Sequence, residues 1–532
     1  MVSQAKANKS AGDKISYILP EDDRKWYQRP NLIKLNIICG NFMLYAASIG
    51  YDSNLTSSIQ ALVQWKAFMG HPTGAWLGFI NACPFIGAVV LILFVPYFCD
   101  RFGRKVIIFI TSCFVWLGAI VASSAKNDAS YIVGRILIGC SFATNYAANL
   151  YINEVAYPIH RGRFSAAYHS MFDLGAVLVS WVVFGTRSIN SNVAWRIPLA
   201  LQVALPVILL PILILSPESP RWLASKGKIE EAKEILMKYH ANYEPEYIPL
   251  VELEMAEIIN SLEIQKINNQ NTWKCLFETP GNRKRVFIGS FTCLSSAWSG
   301  NAIVLNYFTT VLTQVGITAI WEQTLLNACV QMFAFLCALS GAFMVDKWGR
   351  RTLFLVSTIG LFCCYIGLAT ITAVFIETKK NIGQAIIVFV FLCRGVNDFA
   401  WTPLVTAYPA EIWPQETRSK GMFSAMFVLN SMYLVATFVN SIGMKNLTWK
   451  YYCVYLGFQV VIIGVIYFTF PETNGHSLEE IALIFDKDEA TQHAFDSVQV
   501  DKRVTEEGKL EAIVSVTELS EHYMSPRTSL KV

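Results

Sequence analysis

The sequence predicts an all-α membrane protein in which twelve transmembrane helices form two six-helix bundles. Three observations carry that prediction. Of 532 residues, 54% are hydrophobic and 15% charged, and the mean hydropathy is +0.40, whereas soluble domains carry about 25% charged residues. Apolar runs long enough to cross a bilayer, roughly 20 residues each, recur twelve times, six on either side of a polar gap. The two sets of six also share motifs at a nearly constant offset.

The spans fall near 36–58, 75–98, 106–125, 130–152, 164–186 and 197–216, then near 286–312, 323–345, 352–376, 383–408, 421–443 and 451–470. Met1 to Arg29 is polar, without the apolar core of a cleavable signal peptide, so the first span is expected to act as the insertion signal. The gap from Pro217 to Arg285 is rich in Glu and Lys, and within it Glu230 to Leu236 reads as an amphipathic surface helix. The tail from Asp486 to Val532 is polar and expected to be disordered. The expected organisation is a cytoplasmic segment 1–33, a first bundle 34–216, a cytoplasmic helical linker 217–285, a second bundle 286–470 and a cytoplasmic tail 471–532.

Basic residues set the orientation. Loops carrying Arg101, Arg104 and Lys105, Arg161 and Arg163, Lys347, Arg350 and Arg351, and Arg418 and Lys420 share one side with both termini and the linker. Loops on the other side are less basic, so the first side is expected to be cytoplasmic.

Within Leu35 to Trp65 the sole charge is Asp52. A carboxylate in a span costs roughly 2.5–3.5 kcal/mol on insertion scales and by default marks an ion path. The alternative is that Asp52 lies past the end of the span in water, since Leu35 to Asp52 already covers about 25 Å of helix.

The halves repeat. Asp100-Arg101-Phe102-Gly103-Arg104-Lys105 returns as Asp346-Lys347-Trp348-Gly349-Arg350-Arg351. Glu154 with Arg161 returns as Glu411 with Arg418 at an offset of 257, and Pro217-Glu218-Ser219 as Pro471-Glu472-Thr473 at 254. Duplicated bundles of this kind enclose a midplane site in many secondary transporters.

Other chemistries find no support. The 13 Cys are scattered through apolar segments without metal-ligand spacing, a net charge of +4 does not suggest nucleic acid, and there is no phosphate-binding Gly-x-x-x-x-Gly-Lys-Ser/Thr loop. An enzyme, a metal and a cofactor are therefore not expected.

Residues 35–485 resemble the sugar porter branch of the major facilitator superfamily. The likeness rests on Gly50-Tyr51-Asp52, the two Asp-x-x-Gly-Arg-Arg/Lys loops and Gly134-Arg135. It continues with Tyr151-Ile152-Asn153-Glu154 through Arg161-Gly162, Pro217-Glu218-Ser219-Pro220-Arg221-Trp222-Leu223, Glu411-Ile412-Trp413-Pro414 through Arg418, and Pro471-Glu472-Thr473-Asn474-Gly475. Within the branch, Trp298-Ser299-Gly300-Asn301 and Trp449-Lys450-Tyr451-Tyr452 are closest to the fungal lactose permease and its relatives.

The resemblance implies the major facilitator fold, a proton-accepting Asp52 and a partner Arg135. An Arg nearby favours the ionised carboxylate, and separating the two favours proton uptake. It also implies a cytoplasmic gate built from Asp100, Arg101, Arg104, Glu154, Arg161, Asp346, Arg350, Glu411 and Arg418, whose alternative reading is plain topology determinants and headgroup contacts. In family register the polar position of the fifth span is His169, Tyr307 keeps an aromatic position, and two usual Gln of the seventh span are replaced by Ser296 and Ala297. The family Asn position is Ala302, with Asn301 one earlier, and the sugar-stacking Trp position is Thr406, with Trp401 about a turn and a half away; Asn430 offers an amide in the eleventh span. Losing two amides removes several sugar-binding donors and acceptors, which fits a disaccharide or another polyol better than an ordinary hexose. His169 reads equally as a packed core histidine. Asp173 lies one turn after His169 and is assigned to the cavity, where the substrate could bear a charge. Arg394 and Asp398, at i,i+4, read as a self-neutralised structural pair or as a functional one.

The expected function is import of a sugar, a disaccharide such as lactose or a hexose, with a proton, by alternating access across the plasma membrane. The alternatives are a sugar sensor without net transport and a facilitator or carrier of a non-sugar polyol or acid. Expected partners are a small sugar, a proton and the lipid bilayer, with no nucleic acid, and the chain is expected to act as a monomer.

Overall fold

The computed structural model describes residues 26–268, 273–314, 316–378, 385–414, 417–474, 481 and 484–485. Among the described residues, ten helical stretches are long and apolar enough to cross a membrane. The fourth and seventh spans complete the twelve as broken helices. The fourth runs as Asp128–Gly139, a 3-10 turn Cys140–Ala143 and Thr144–Val155; the seventh runs as Pro280–Trp298, Asn301–Asn306 and Phe308–Gln314. The seventh breaks at Gly300, whose φ of +101° suits a residue without Cβ, and whose carbonyl accepts from the Tyr365 hydroxyl at 2.6 Å.

The first bundle holds Pro30–Ile59, Ala75–Ile92 with Val95–Phe102, Arg104–Ser123, the fourth span, Pro158–Thr186, and Val193–Leu201 with Ala204–Leu215. The second holds the seventh span, Ile320–Trp348, Arg350–Thr378, Ala385–Ile412, Arg418–Leu447 and Lys450–Thr469. One end of the molecule carries the repeated basic motifs and the linker (the basic end); the opposite end is the far end.

The repeated Gly-Arg turns have a local cause. Gly103 and Gly349 sit at φ +94° and +82°, which lets spans 3 and 9 start at once. Glu218 accepts from the Arg104 N–H at 3.2 Å, and Glu472 accepts from the N–H groups of Arg350 and Arg351 at 2.7 and 3.0 Å. Each carboxylate thereby caps a helix N-terminus, where partial positive charge collects. A Cβ on Gly103 or Gly349 would come within 2.9 or 2.6 Å of a carboxylate oxygen of the capping glutamate.

The linker folds as Pro220–Ser225, Ile229–Tyr239 and Ile248–Asn268. The predicted amphipathic helix buries Ala232 and Leu236 in a core shared with Leu32 and Tyr151 of the first bundle. His240 docks it further, with Nδ1 at 2.6 Å from Glu254 and Nε2 at 3.1 Å from the Val155 carbonyl. The segments 1–25 and 486–532 lie outside the described residues, as do Lys379 and Lys380.

Small residues let the spans pack closely, as is usual for helices in lipid. A Cβ on Gly139 of span 4 would fall 1.8 Å from the Pro84 carbonyl oxygen of span 2, and one on Gly341 of span 8 would fall 1.9 Å from that of Phe399 in span 10. Gly40, by contrast, has nothing within 4 Å. Gly139→Ala is therefore expected to lower the thermal midpoint of the purified protein by an overpacking cost of about 1–3 kcal/mol. Gly40→Ala should not lower it. Equal midpoints for both variants would contradict the close approach.

The bundles meet along spans 2 and 11 and along spans 5 and 8. Toward the far end they are tied by Asn327, which donates to Ser58 at 2.9 Å and to Ser180 at 3.4 Å. Gln60 donates to the Asn306 carbonyl at 3.4 Å, and Lys445 to Thr73 at 3.2 Å. The far end is closed.

Candidate functional site

A cavity of about 180 Å³ lies between the bundles, many times the space one water needs. Spans 1, 2, 4, 5, 7, 10 and 11 line it. His169, Asp173, Asn301, Trp401 and Asn430, chosen from the sequence, all reach it, as does Ser296. Tyr307 does not. It is buried in the far-end aromatic core, with its hydroxyl on the Thr437 carbonyl.

Each of these side chains is also held by protein. The Nε2 atom of His169 meets the Thr406 hydroxyl. Asn301 accepts from Arg394 at 3.0 Å, Asn430 donates to the Met426 carbonyl at 2.8 Å, and Trp401 packs its ring 4.8 Å from that of Phe354. Sequence reasoning missed Phe85 of span 2 and Tyr433 of span 11, which stack at 5.6 Å across the bundle boundary and line the cavity. Their signal, single aromatics in apolar spans, is too common to be read without coordinates. Tyr146 was missed for the same reason, and Asn145 and Asn397 also line the cavity without having been chosen from the sequence.

Asp52 is buried, 1% exposed, well inside Pro30–Ile59, so the alternative of a wet residue past the span end does not hold. Arg135 is 2% exposed. The expected carboxylate–guanidinium pair is not formed. Arg135 Nη2 donates at 3.0 Å to the backbone carbonyl of Asp52, and the Asp52 carboxyl takes a hydrogen bond from Ser141 at 3.4 Å, its Oδ1 having no hydrogen-bond partner. The physical reason is geometric: the arginine spans to the helix backbone, where a carbonyl is in reach, while the carboxyl turns toward the 3-10 turn of span 4. Neither residue lines the central cavity, although Ser53 beside Asp52 does.

Arg394 and Asp398 do not form a self-contained pair. Arg394 Nη2 lies 2.9 Å from Asp398 and 3.3 Å from Asp173, so one guanidinium joins span 10 of the second bundle to span 5 of the first. Gln331 accepts from Arg394 at 3.2 Å, and Asp398 accepts from Asn397 and Thr402, both at 2.9 Å. All three charged residues are at most 2% exposed and line the cavity.

At the basic end the same network is built twice. Arg104 pairs with Glu154 at 2.8 Å and Ser219 donates to Glu154 at 2.5 Å; Arg350 pairs with Glu411 at 2.9 Å and Thr473 donates to Glu411 at 2.7 Å. Burial pushes the Glu218 carboxyl above its ordinary value, opposed by the N–H bonds of Ser219 and Arg104. Burial likewise raises Asp100, against the pull of Arg104. Each set closes within its own bundle. Arg161 approaches Glu254 of the linker at 4.0 Å, and Arg418 donates to the Trp413 carbonyl at 3.3 Å, so neither pairs with the glutamate seven residues before it. Arg101 donates to Tyr97 at 2.7 Å. The side chain of Asp346 lies outside the described residues.

A sequence model of the family described as "Sugar (and other) transporter" matches residues 38–485. The chain is 26% identical over 486 residues to the high-affinity glucose transporter 1 of Candida albicans, covering 86% of this chain and 87% of the relative. It is 27% identical over 472 residues to the low-affinity glucose transporter HXT3 of Saccharomyces cerevisiae, covering 84% and 82%. These relatives are glucose transporters, not lactose permeases. The structure of the major facilitator proton:xylose symporter XylE bound to 6-bromo-6-deoxy-D-glucose superposes with a TM-score of 0.72 at 21% identity, covering 86% of this chain and 100% of that one. That likeness shows the twelve-helix fold.

Proposed function

The chain belongs to the sugar (and other) transporter family, and on that premise we propose that it imports a sugar, a disaccharide such as lactose or a hexose, together with a proton. Transport is by alternating access across the plasma membrane, by a monomer with both termini and the basic end in the cytoplasm. The observation that carries the reading is the pairing of a cavity at the bundle interface with a separate buried acid, Asp52, one residue from the cavity wall. A carboxylate without an ion pair at that depth costs several kcal/mol, so the arrangement suits the neutral acid. Return of Arg135 to the carboxylate would favour release of the proton.

The sugar would be held by His169, Asn301 and Asn430, with Asp173 and Ser296, against Trp401, Phe85 and Tyr433. Amides, hydroxyls and an imidazole match sugar hydroxyls, and the flat rings match the apolar faces of a pyranose. The two basic-end networks fasten each bundle into a rigid body. The latch between bundles, expected of the same residues, then belongs to the opposite state, in which the basic end is shut.

His169→Ala is expected to weaken half-saturation about fivefold, the equivalent of about 1 kcal/mol for one hydrogen bond, with surface expression unchanged. Equal affinity would take His169 out of the site. The reading as a whole is tested by uptake of labelled mono- and disaccharides in a transporter-deficient cell, with and without a protonophore. Accumulation that the protonophore abolishes supports it, and the absence of uptake for every sugar would overturn it.

A further inference from the structure

The charge count around the cavity does not balance. Among the described residues lining it, two acids, Asp173 and Asp398, face one guanidinium, Arg394. Each is at most 2% exposed. Two buried carboxylates with one cation leave a surplus negative charge whose desolvation costs several kcal/mol.

The contacts around the two acids favour Asp398 as the one that carries the charge. Asp398 has the shorter contact to Arg394, 2.9 Å, and its other oxygen accepts from Asn397 and Thr402 at 2.9 Å each. The oxygen facing Arg394 has no hydrogen bond of its own, yet Asp398 keeps two donors and the nearer cation, more of what an ionised carboxylate needs than Asp173 has. Asp173 has one contact to Arg394 at 3.3 Å, and its Oδ2 has no hydrogen-bond partner. An ionised group would be the costlier occupant there.

Among the described residues, the remaining groups offer no compensating cation. On span 5, His169 meets the Thr406 hydroxyl rather than a carboxylate. Gln331 and Cys337 of span 8, Asn301 of span 7 and Tyr433 of span 11 face the cluster and are uncharged. Asp52 and Arg135 are not part of the cavity wall.

We propose that Asp173 is a second proton site, carried as a neutral acid whose Oδ2 hydroxyl is free to donate to a substrate oxygen in the cavity, while Asp398 and Arg394 form the ion pair beneath it. The proton neutralises the cavity and so fits it to an uncharged polyhydroxyl substrate rather than a cationic one. Because Asp173 and Arg394 belong to different bundles, separation of the bundles breaks their contact, and the protonated acid can part from the guanidinium without leaving a bare charge. The inference deepens the sugar-and-proton reading of this cavity, yet it stands or falls separately from Asp52.

The test is infrared spectroscopy of the purified full-length protein at neutral pH, following the C=O stretch of protonated carboxyl groups and its shift in heavy water. The Asp52→Asn variant should retain a band that is lost in Asp52→Asn/Asp173→Asn, where the amide mimics the neutral acid and preserves the fold. The band should also be lost in Asp52→Asn/Asp398→Asn, because Asp173 then becomes the counter-ion of Arg394. If the Asp398 variant cannot be purified, Asp173→Glu on the Asp52→Asn background should move the band instead of removing it. A band absent from Asp52→Asn, or unaltered by substitution at 173, would overturn the proposal. Failure of sugar uptake with the band intact would instead count against the transport reading alone.

Discussion

Asp52→Asn is expected to abolish uphill accumulation of sugar while leaving exchange of labelled for unlabelled substrate close to wild type. The amide keeps the size of the side chain and an oxygen for Ser141, which lies 3.4 Å from the Asp52 carboxyl. It also leaves the backbone carbonyl that takes the Arg135 bond at 3.0 Å. What it removes is the ionisable group. With the position permanently neutral, the bundles can still rock about bound sugar, but no proton gradient can bias the cycle. Loss should therefore be complete for accumulation and small for exchange. Loss of both at normal expression would assign Asp52 a structural role, and retained protonophore-sensitive accumulation would remove it from the mechanism.

The second large effect concerns folding. Arg394→Ala strips the cation from Asp398 and leaves a buried carboxylate with only Asn397 and Thr402 as donors. Removing one partner of a buried ion pair typically costs about 3–5 kcal/mol, a large fraction of what a folded chain has to lose. The double variant Arg394→Ala/Asp398→Ala removes both charges and should recover much of that loss if Asp173 is neutral. Thermal midpoints from size-exclusion of detergent-solubilised protein give the order: wild type, double, then single. A double variant less stable than the single would show that the two residues do not neutralise each other.

The fold was legible because lipid imposes it. Backbone groups in hydrocarbon must bond within a helix, so span number and length follow from hydropathy, and the duplicated Asp-x-x-Gly-Arg and Pro-Glu-Ser/Thr motifs mark matching corners. The structure shows why those corners repeat: Glu218 and Glu472 each cap the span that opens after a glycine at positive φ. The interruption of span 7 at Gly300 was not read, although the tight Ser-Gly step was its signal.

Site residues were legible in part. Spacing on one helix brought out His169 with Asp173 and Arg394 with Asp398, but periodicity cannot see that Arg394 reaches a residue 221 positions away on the other bundle. The carboxylate pairing of Asp52 failed because residue type and level in the membrane do not fix whether an arginine finds a side chain or a carbonyl. Tyr307 kept its aromatic position yet turned its hydroxyl into the second bundle, toward Thr437. Glu154 and Glu411 did take Arg104 and Arg350, the pairing that the opposite charges of the repeated loops suggested, since those motifs meet at the turn between spans.

The central claim is that a proton crosses with the sugar, and external pH measured on purified protein in liposomes tests it most directly. With a transported sugar added to unbuffered vesicles clamped at zero membrane potential, sugar entry should draw protons inward and raise the external pH in the wild type. Asp52→Asn vesicles should show sugar equilibration without that change. Sugar entry by the wild type with no accompanying proton movement would contradict the account.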